Sequence, residues 1–167
     1  MRPMRTRARI AALLTAAALV GCSSYHLGTG TATTRAIEIR PVRNAVPLAG
    51  IHAVIHQSLV SALSADPRLR VGNGGETLDT EVTAVERAAA TRSTTDALLA
   101  GQFRVTLTVR CTLRSADGRQ VRFSDRPFSA SALLSATGDL SAEERAAMPR
   151  LAAEIATQVR DAAAGAW

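Results

Sequence analysis

The sequence predicts an α+β domain in which two helices pack on one face of a four- to five-stranded mixed sheet, in the order strand, helix, strands, helix. Three observations carry that reading. From Phe103 to Arg114 apolar and polar side chains alternate at period two, the mark of a strand with one buried face. Two other stretches, Leu48 to Ala62 and Met148 to Val159, repeat apolar side chains at helical spacing. Asp117-Gly118 separates two strand-like runs, a strong hairpin signal that makes at least one strand pair antiparallel.

Arg35 to Val42 ("RAIEIRPV") sets Ile37 and Ile39 between charged neighbours and meets a proline, so it reads as the first strand. The first helix follows, with Leu48, Ile51, Ile55, Leu59 and Ala62 on one face, Pro47 near its start and Pro67 beyond its end. "RLRVG" is a short strand, and the glycine-rich "GNGG" after it is a turn, because it opens a strand and not a phosphate-binding helix. The next strand, Glu76 to Arg92, presents Leu78, Thr80, Val82 and Ala84 on one side. The long alternating strand then buries Phe103, Val105, Leu107, Val109, Cys111 and Leu113, leaving its arginines and threonines on the opposite face. After the hairpin and a last strand, "RQVRFSDRPFSASALL", the Ser141-Ala-Glu-Glu144 stretch reads as a capping box. It opens a helix that buries Met148, Leu151, Ile155 and Val159, in which Pro149 either kinks the helix or marks its true first turn.

Upstream of this domain the pattern is that of export. Arg2, Arg5, Arg7 and Arg9 form a positive head and Ile10 to Val20 an apolar run of about 11 residues. A membrane-spanning helix needs about 20. Leu19-Val20-Gly21-Cys22 resembles the bacterial lipobox, which implies lipidation of the Cys22 thiol and cleavage before it. The expected organisation is therefore a signal peptide over residues 1–21, a lipidated tether over 22–34 and one domain over 35–164.

Composition narrows the function. The chain of 167 residues has no lysine, and four of its 20 arginines belong to the signal peptide, leaving 16 cations against 14 carboxylates in the mature protein. Such balance, with 3% aromatic residues, removes the electrostatic and stacking basis for nucleic-acid binding. Of two cysteines, Cys22 would carry lipid, so Cys111 is a free thiol and reads as a small core residue. His52 and His56 have the i, i+4 spacing of a metal pair, but no catalytic glutamate follows His52 and no third ligand is near in sequence, so they read as flank residues of the first helix. No nucleophile elbow, phosphate-cradling loop or Cys-x-x-Cys motif occurs. The sequence therefore predicts no enzyme, no cofactor and no metal.

The chain as a whole resembles the LptE-type lipopolysaccharide-assembly lipoproteins. The likeness runs through "GCSSYHLG", "IEIRPVRNAVP", "HQSLVSALSADPRLRV", "FRVTLTVRCTLRSADGRQV" and "AAEIATQV", spanning roughly residues 21 to 160. Ser23-Ser24 departs from the shorter spacing the family has before Tyr25. The resemblance implies a lipoprotein anchored at the periplasmic face of the outer membrane, where it plugs and stabilises the LptD-type barrel of the lipopolysaccharide translocon. It carries over no ligand-contacting residue. An accessory lipoprotein of an ABC-type envelope lipid transporter, which shares the lipobox and a small mixed sheet, is the alternative.

The residues themselves offer one candidate surface. Arg104, Arg110 and Arg114 project from one side of one strand, and Arg122 is expected to join them from across the hairpin. Guanidinium groups pair bidentately with phosphates, so such a row could hold lipopolysaccharide or meet acidic residues lining a barrel; otherwise it is a solvated face.

Overall fold

In the computed structural model the described residues are 34–92, 100–135 and 139–165. The expected signal peptide, Cys22 and all of the expected tether but Thr34 lie outside them. The elements run β1 (Arg35–Ile39), β2 (Arg43–Asn44), α1 (Ile51–Ser64), β3 (Leu69–Val71), β4 (Glu76–Arg92), β5 (Ala100–Arg114), β6 (Val121–Ser135) and α2 (Leu140–Gly165). The sheet is mixed, as expected: its order is β3-β1-β4-β5-β6, with β1 parallel to both its neighbours and β4, β5 and β6 antiparallel. β2, too short to show in the hydrophobic pattern, adds a sixth strand parallel to β4.

The two helices cover one face. Ile51, Ile55, Leu59 and Leu63 of α1 and Leu151, Ile155 and Val159 of α2 join Ile37, Leu78, Val82, Val105, Leu107, Val109 and Leu113 in a single buried cluster. Burying one such side chain fully is worth about 1.5–3 kcal/mol, so this layer is what holds the helices to the sheet. Cys111, also in it, is 1% exposed, and burial pushes its thiol up to about 11.

Several local expectations need correction. Helix α1 starts at Ile51, so Leu48 precedes it in a tight turn (Leu48 N–H to Val46 O, 2.8 Å), and Leu63 takes the buried position expected of Ala62. At α2 the cap is Asp139, not Ser141. Its Oδ1 accepts the main-chain N–H groups of Ser141 (3.0 Å) and Ala142 (3.2 Å), supplying two of the orphan donors of the first turn. The box glutamates are used elsewhere: Glu143 accepts the Ser135 N–H at 3.0 Å, and Glu144 pairs with Arg87. Pro149 is not in the first turn; it lies inside α2, where its missing N–H leaves the Arg145 carbonyl without a helical donor.

The inward face of β4 also changes phase. Val82 opposes Val109 but Ala84 opposes Thr108, so a bulge at Thr83 turns Ala84 outward and brings Val85 against the core opposite Leu107. Thr83 Oγ1 donates to the Thr108 carbonyl at 3.3 Å, anchoring the extra residue.

The "GNGG" turn does more than reverse direction. It carries the chain from one flank of β1, where β3 pairs, to the other, where β4 pairs, within residues 72–75. A Cβ on Gly75 would sit 2.1 Å from the Ala36 carbonyl oxygen, so only glycine lets the two backbones cross there. The Asp117-Gly118 hairpin forms as expected, closed by Ser115 N–H to Gln120 O at 2.8 Å.

Candidate functional site

With the helices on one side, the arginine face of β5 belongs to the face of the sheet that no helix among the described residues covers. Period-two alternation sends Arg104, Thr106, Thr108, Arg110, Thr112 and Arg114 outward, while Val105 through Leu113 point into the core. Three of the four predicted arginines therefore share a surface.

Two of these three already have anionic partners. Arg114 Nη1 lies 2.8 Å from Asp79 Oδ2, and Arg40 approaches the other oxygen of the same carboxylate at 3.4 Å. Arg110 Nη1 lies 2.6 Å from Asp125 Oδ2. Asp125 is placed for this by a bulge in β6: it has φ 49°, its N–H donates to Thr112 Oγ1 at 2.9 Å, and Leu113 opposes Phe123 while Cys111 opposes Arg126. Arg43 and Glu81, 3.2 Å apart, extend the same pattern beside β2. Exposed pairs like these contribute about 0–1 kcal/mol each, so their main effect is to leave the face charge-balanced. Arg104 is the exception. It is exposed, has no ion pair among the described residues, and stands opposite Leu133 of β6, which is 52% exposed.

Arg122 does not join the row. Val121 opposes Arg114 and takes the outward position, so its neighbour turns to the helix-covered side. There Arg122 Nη2 lies 3.4 Å from Glu76 Oε1. Arg35 pairs with the other oxygen of Glu76 and donates from Nη1 to the Ala163 carbonyl at 2.9 Å, supplying a donor near the C-terminal end of α2. This cluster joins β1, β4, β6 and α2, and sequence reasoning missed it. A signal was present: Glu76 is in phase with Leu78, Thr80 and Val82, and a carboxylate at a buried strand position needs a cationic partner.

The remaining candidates stay apart from this surface. His52 is exposed and His56 half-buried on α1, and no group of three metal-ligating side chains occurs among the described residues. A cleft of about 210 Å³ between α1 and α2 is lined by Leu48, Ile51, Val54, Met148 and Pro149 with Arg145 beside it, an apolar lining without convergent polar groups. No helix among the described residues is long and apolar enough to cross a membrane.

Comparison with known proteins places the fold. A protein from Xanthomonas campestris of family model DUF330 superposes with a TM-score of 0.58 at 15% identity, covering 81% of this chain and 90% of its own. A minor lipoprotein from Acinetobacter baumannii gives 0.54 at 11% identity, covering 78% and 93%. A hypothetical protein from Chlamydia trachomatis gives 0.52 at 11%, covering 76% and 96%. At these identities the likeness is one of fold. No curated protein matches the sequence. The family model described as "LptE: Lipopolysaccharide-assembly" matches residues 34–163, nearly the whole described domain from the strand that carries Arg35 to the end of α2, and on that match the chain belongs to the LptE family.

Proposed function

We propose that this protein is held by lipid on Cys22 at the periplasmic face of the outer membrane, and that it assists lipopolysaccharide transport and assembly there as plug and partner of an LptD-type translocon barrel. The observation that carries the reading is the LptE match over residues 34–163 directly behind a lipobox cysteine. The role calls for binding and positioning, with no catalytic step. The uncovered sheet face suits it: a balanced field of ion pairs can meet a polar barrel lining without a large unpaired charge to desolvate, and Arg104 beside Leu133 combines a free guanidinium with an exposed apolar side chain, the two features a phosphorylated lipid presents in complement.

Affinity purification from detergent-solubilised membranes tests the partner. The expected result is recovery of an outer-membrane barrel; recovery of a permease and ATPase instead would overturn it in favour of the ABC-transporter accessory. Arg104→Glu should weaken lipopolysaccharide binding or barrel recovery while leaving the thermal midpoint unchanged. Arg110→Glu with Arg114→Glu should do so at some cost in stability, because it also breaks the pairs to Asp125 and Asp79. Cys22→Ser should abolish incorporation of radioactive palmitate and leave the precursor uncleaved.

A further inference from the structure

We propose that the cleft between α1 and α2 binds a single-chain anionic amphiphile, a long-chain fatty acid whose carboxylate is held at Arg145. The cleft lies in the helix layer, across the sheet from the arginine face of β5. Leu48, Ile51, Val54, Met148 and Pro149 wall a space of about 210 Å³. One wall is fixed in advance: Asn44 donates from Nδ2 to the Leu48 carbonyl at 3.1 Å and accepts the Val46 N–H on Oδ1 at 3.1 Å, holding the turn that carries Leu48. An apolar lining without convergent polar groups does not select a sugar or a nucleotide. It selects hydrocarbon.

The mouth of the cleft is positive. Arg145 lines it, is exposed, and has no ion pair among the described residues. Its Nε donates to the Ser141 carbonyl at 3.2 Å, which anchors the side chain and leaves both Nη groups to a ligand. The first turn of α1 opens at the same place, through Ala49, Gly50 and Ile51. Its N-cap is Gly50, at φ 78°, which has no side chain to cap the helix, and the turn holds no acidic residue. The N–H groups of Ile51 and His52 therefore meet no acceptor among the described residues, and the positive end of a 14-residue helix adds to the guanidinium. No carboxylate is among the residues that line the cleft.

A cationic mouth on an apolar interior calls for an anionic head on a hydrocarbon chain. Size and charge select which one. The cleft is smaller than a site for a drug-sized ligand, so it takes one chain. That chain can continue past Val54 and Pro149, which also line a second groove of about 520 Å³ bordered by Ser58, Ala62 and Ala153. A guanidinium matches a planar, singly charged carboxylate bidentately. A phosphate monoester would bring further charge, and the cleft is lined by no second cationic side chain to meet it.

This goes beyond the barrel reading and does not rest on it, since the site is read on the purified chain with neither barrel nor lipopolysaccharide present. The full-length protein in amphipol, irradiated with palmitate that carries a diazirine on its chain, should be labelled saturably, with the label in residues 48–54 and 145–149. Unlabelled palmitate should compete about tenfold better than hexadecanol or more. Arg145→Glu should weaken palmitate by about tenfold or more and leave hexadecanol unchanged. Arg150→Glu, the same charge change on α2 at a residue that does not line the cleft, should leave both unchanged. Ala49→Trp, at an exposed position on the mouth, should block both with an unchanged thermal midpoint. Labelling that does not saturate or falls elsewhere, equal competition by palmitate and hexadecanol, indifference to Arg145→Glu or Ala49→Trp, or better competition by lysophosphatidate would overturn the proposal.

Discussion

Arg122 and Glu76 meet 3.4 Å apart on the helix-covered face, although one begins β6 and the other begins β4, and Arg35 shares the same carboxylate from the far side. One anion thus holds two guanidiniums from strands on either side of it. Removing that anion should deprive two partly buried cations of the carboxylate they share. Glu76→Gln is expected to destabilise the fold by about 2–4 kcal/mol, somewhat below the loss typical of a fully buried pair because both arginines retain some solvent. Glu81→Gln, which breaks the exposed pair with Arg43, should cost under about 1 kcal/mol. Denaturant midpoints of the two variants check the contrast.

The backbone crossing at Gly75 predicts an equally local effect. Gly75→Ala places a methyl group 2.1 Å from the Ala36 carbonyl oxygen, and backbone on both sides must shift. The expected cost is about 3 kcal/mol or more, in the range of severe overpacking. Gly72→Ala, with nothing within 4 Å of the added carbon, should be nearly neutral. Thermal unfolding of the pair decides it, and similar midpoints would show that the crossing tolerates a side chain.

The two faces of β5 differ in the same measurable way. Val109 is fully buried, so Val109→Ala should cost about 1–3 kcal/mol from lost burial and a residual cavity. Thr108, next to it, faces outward, and Thr108→Ala should cost well under about 1 kcal/mol, within the ordinary range for surface positions.

Acid stability should depend on Asp66. The side chain of Arg68 binds both its carboxylate oxygens (3.0 and 2.8 Å), and with the Arg68 N–H (2.9 Å) holds its acidity at about 2, below the usual 3.8. The folded state therefore gives up this charge less readily than the unfolded chain does. Its contribution is complete above about pH 4, where the unfolded carboxylate is also ionised, and is lost as pH falls from there towards 2. Stability of the natural protein should drop across that window more steeply than that of Asp66→Asn, measured as denaturant midpoints between pH 5 and 2. Equal slopes would show that Arg68 does not hold the carboxylate in solution.

What the sequence determined by itself was everything carried by short-range pattern. Alternation along Phe103 to Leu113 fixed which β5 side chains enter the core, because each successive side chain must point the opposite way along a strand. Spacing placed Ile51, Ile55 and Leu59 on the buried stripe of α1, and Asp117-Gly118 marked a tight hairpin between β5 and β6. Those signals sufficed for the class, two helices on one face of a mixed sheet, and for the shared outward direction of Arg104, Arg110 and Arg114. Only the tertiary structure decided where pattern meets register. The bulge at Thr83 exchanged Ala84 for Val85, because an inserted residue reverses the facing of everything after it without altering composition. Capping by Asp139 displaced Ser141 because Glu143 and Glu144 were engaged by β6 and β4, partners that sequence distance hides. Arg122 left the arginine row for the same reason. Its phase depends on how β6 registers against β5, and the carboxylate that receives it, Glu76, arrives from a strand more than 40 residues earlier. Likewise the pairing of Arg110 with Asp125 and of Arg114 with Asp79, which leaves Arg104 as the member of the row with no ion pair among the described residues, exists only once three strands lie side by side.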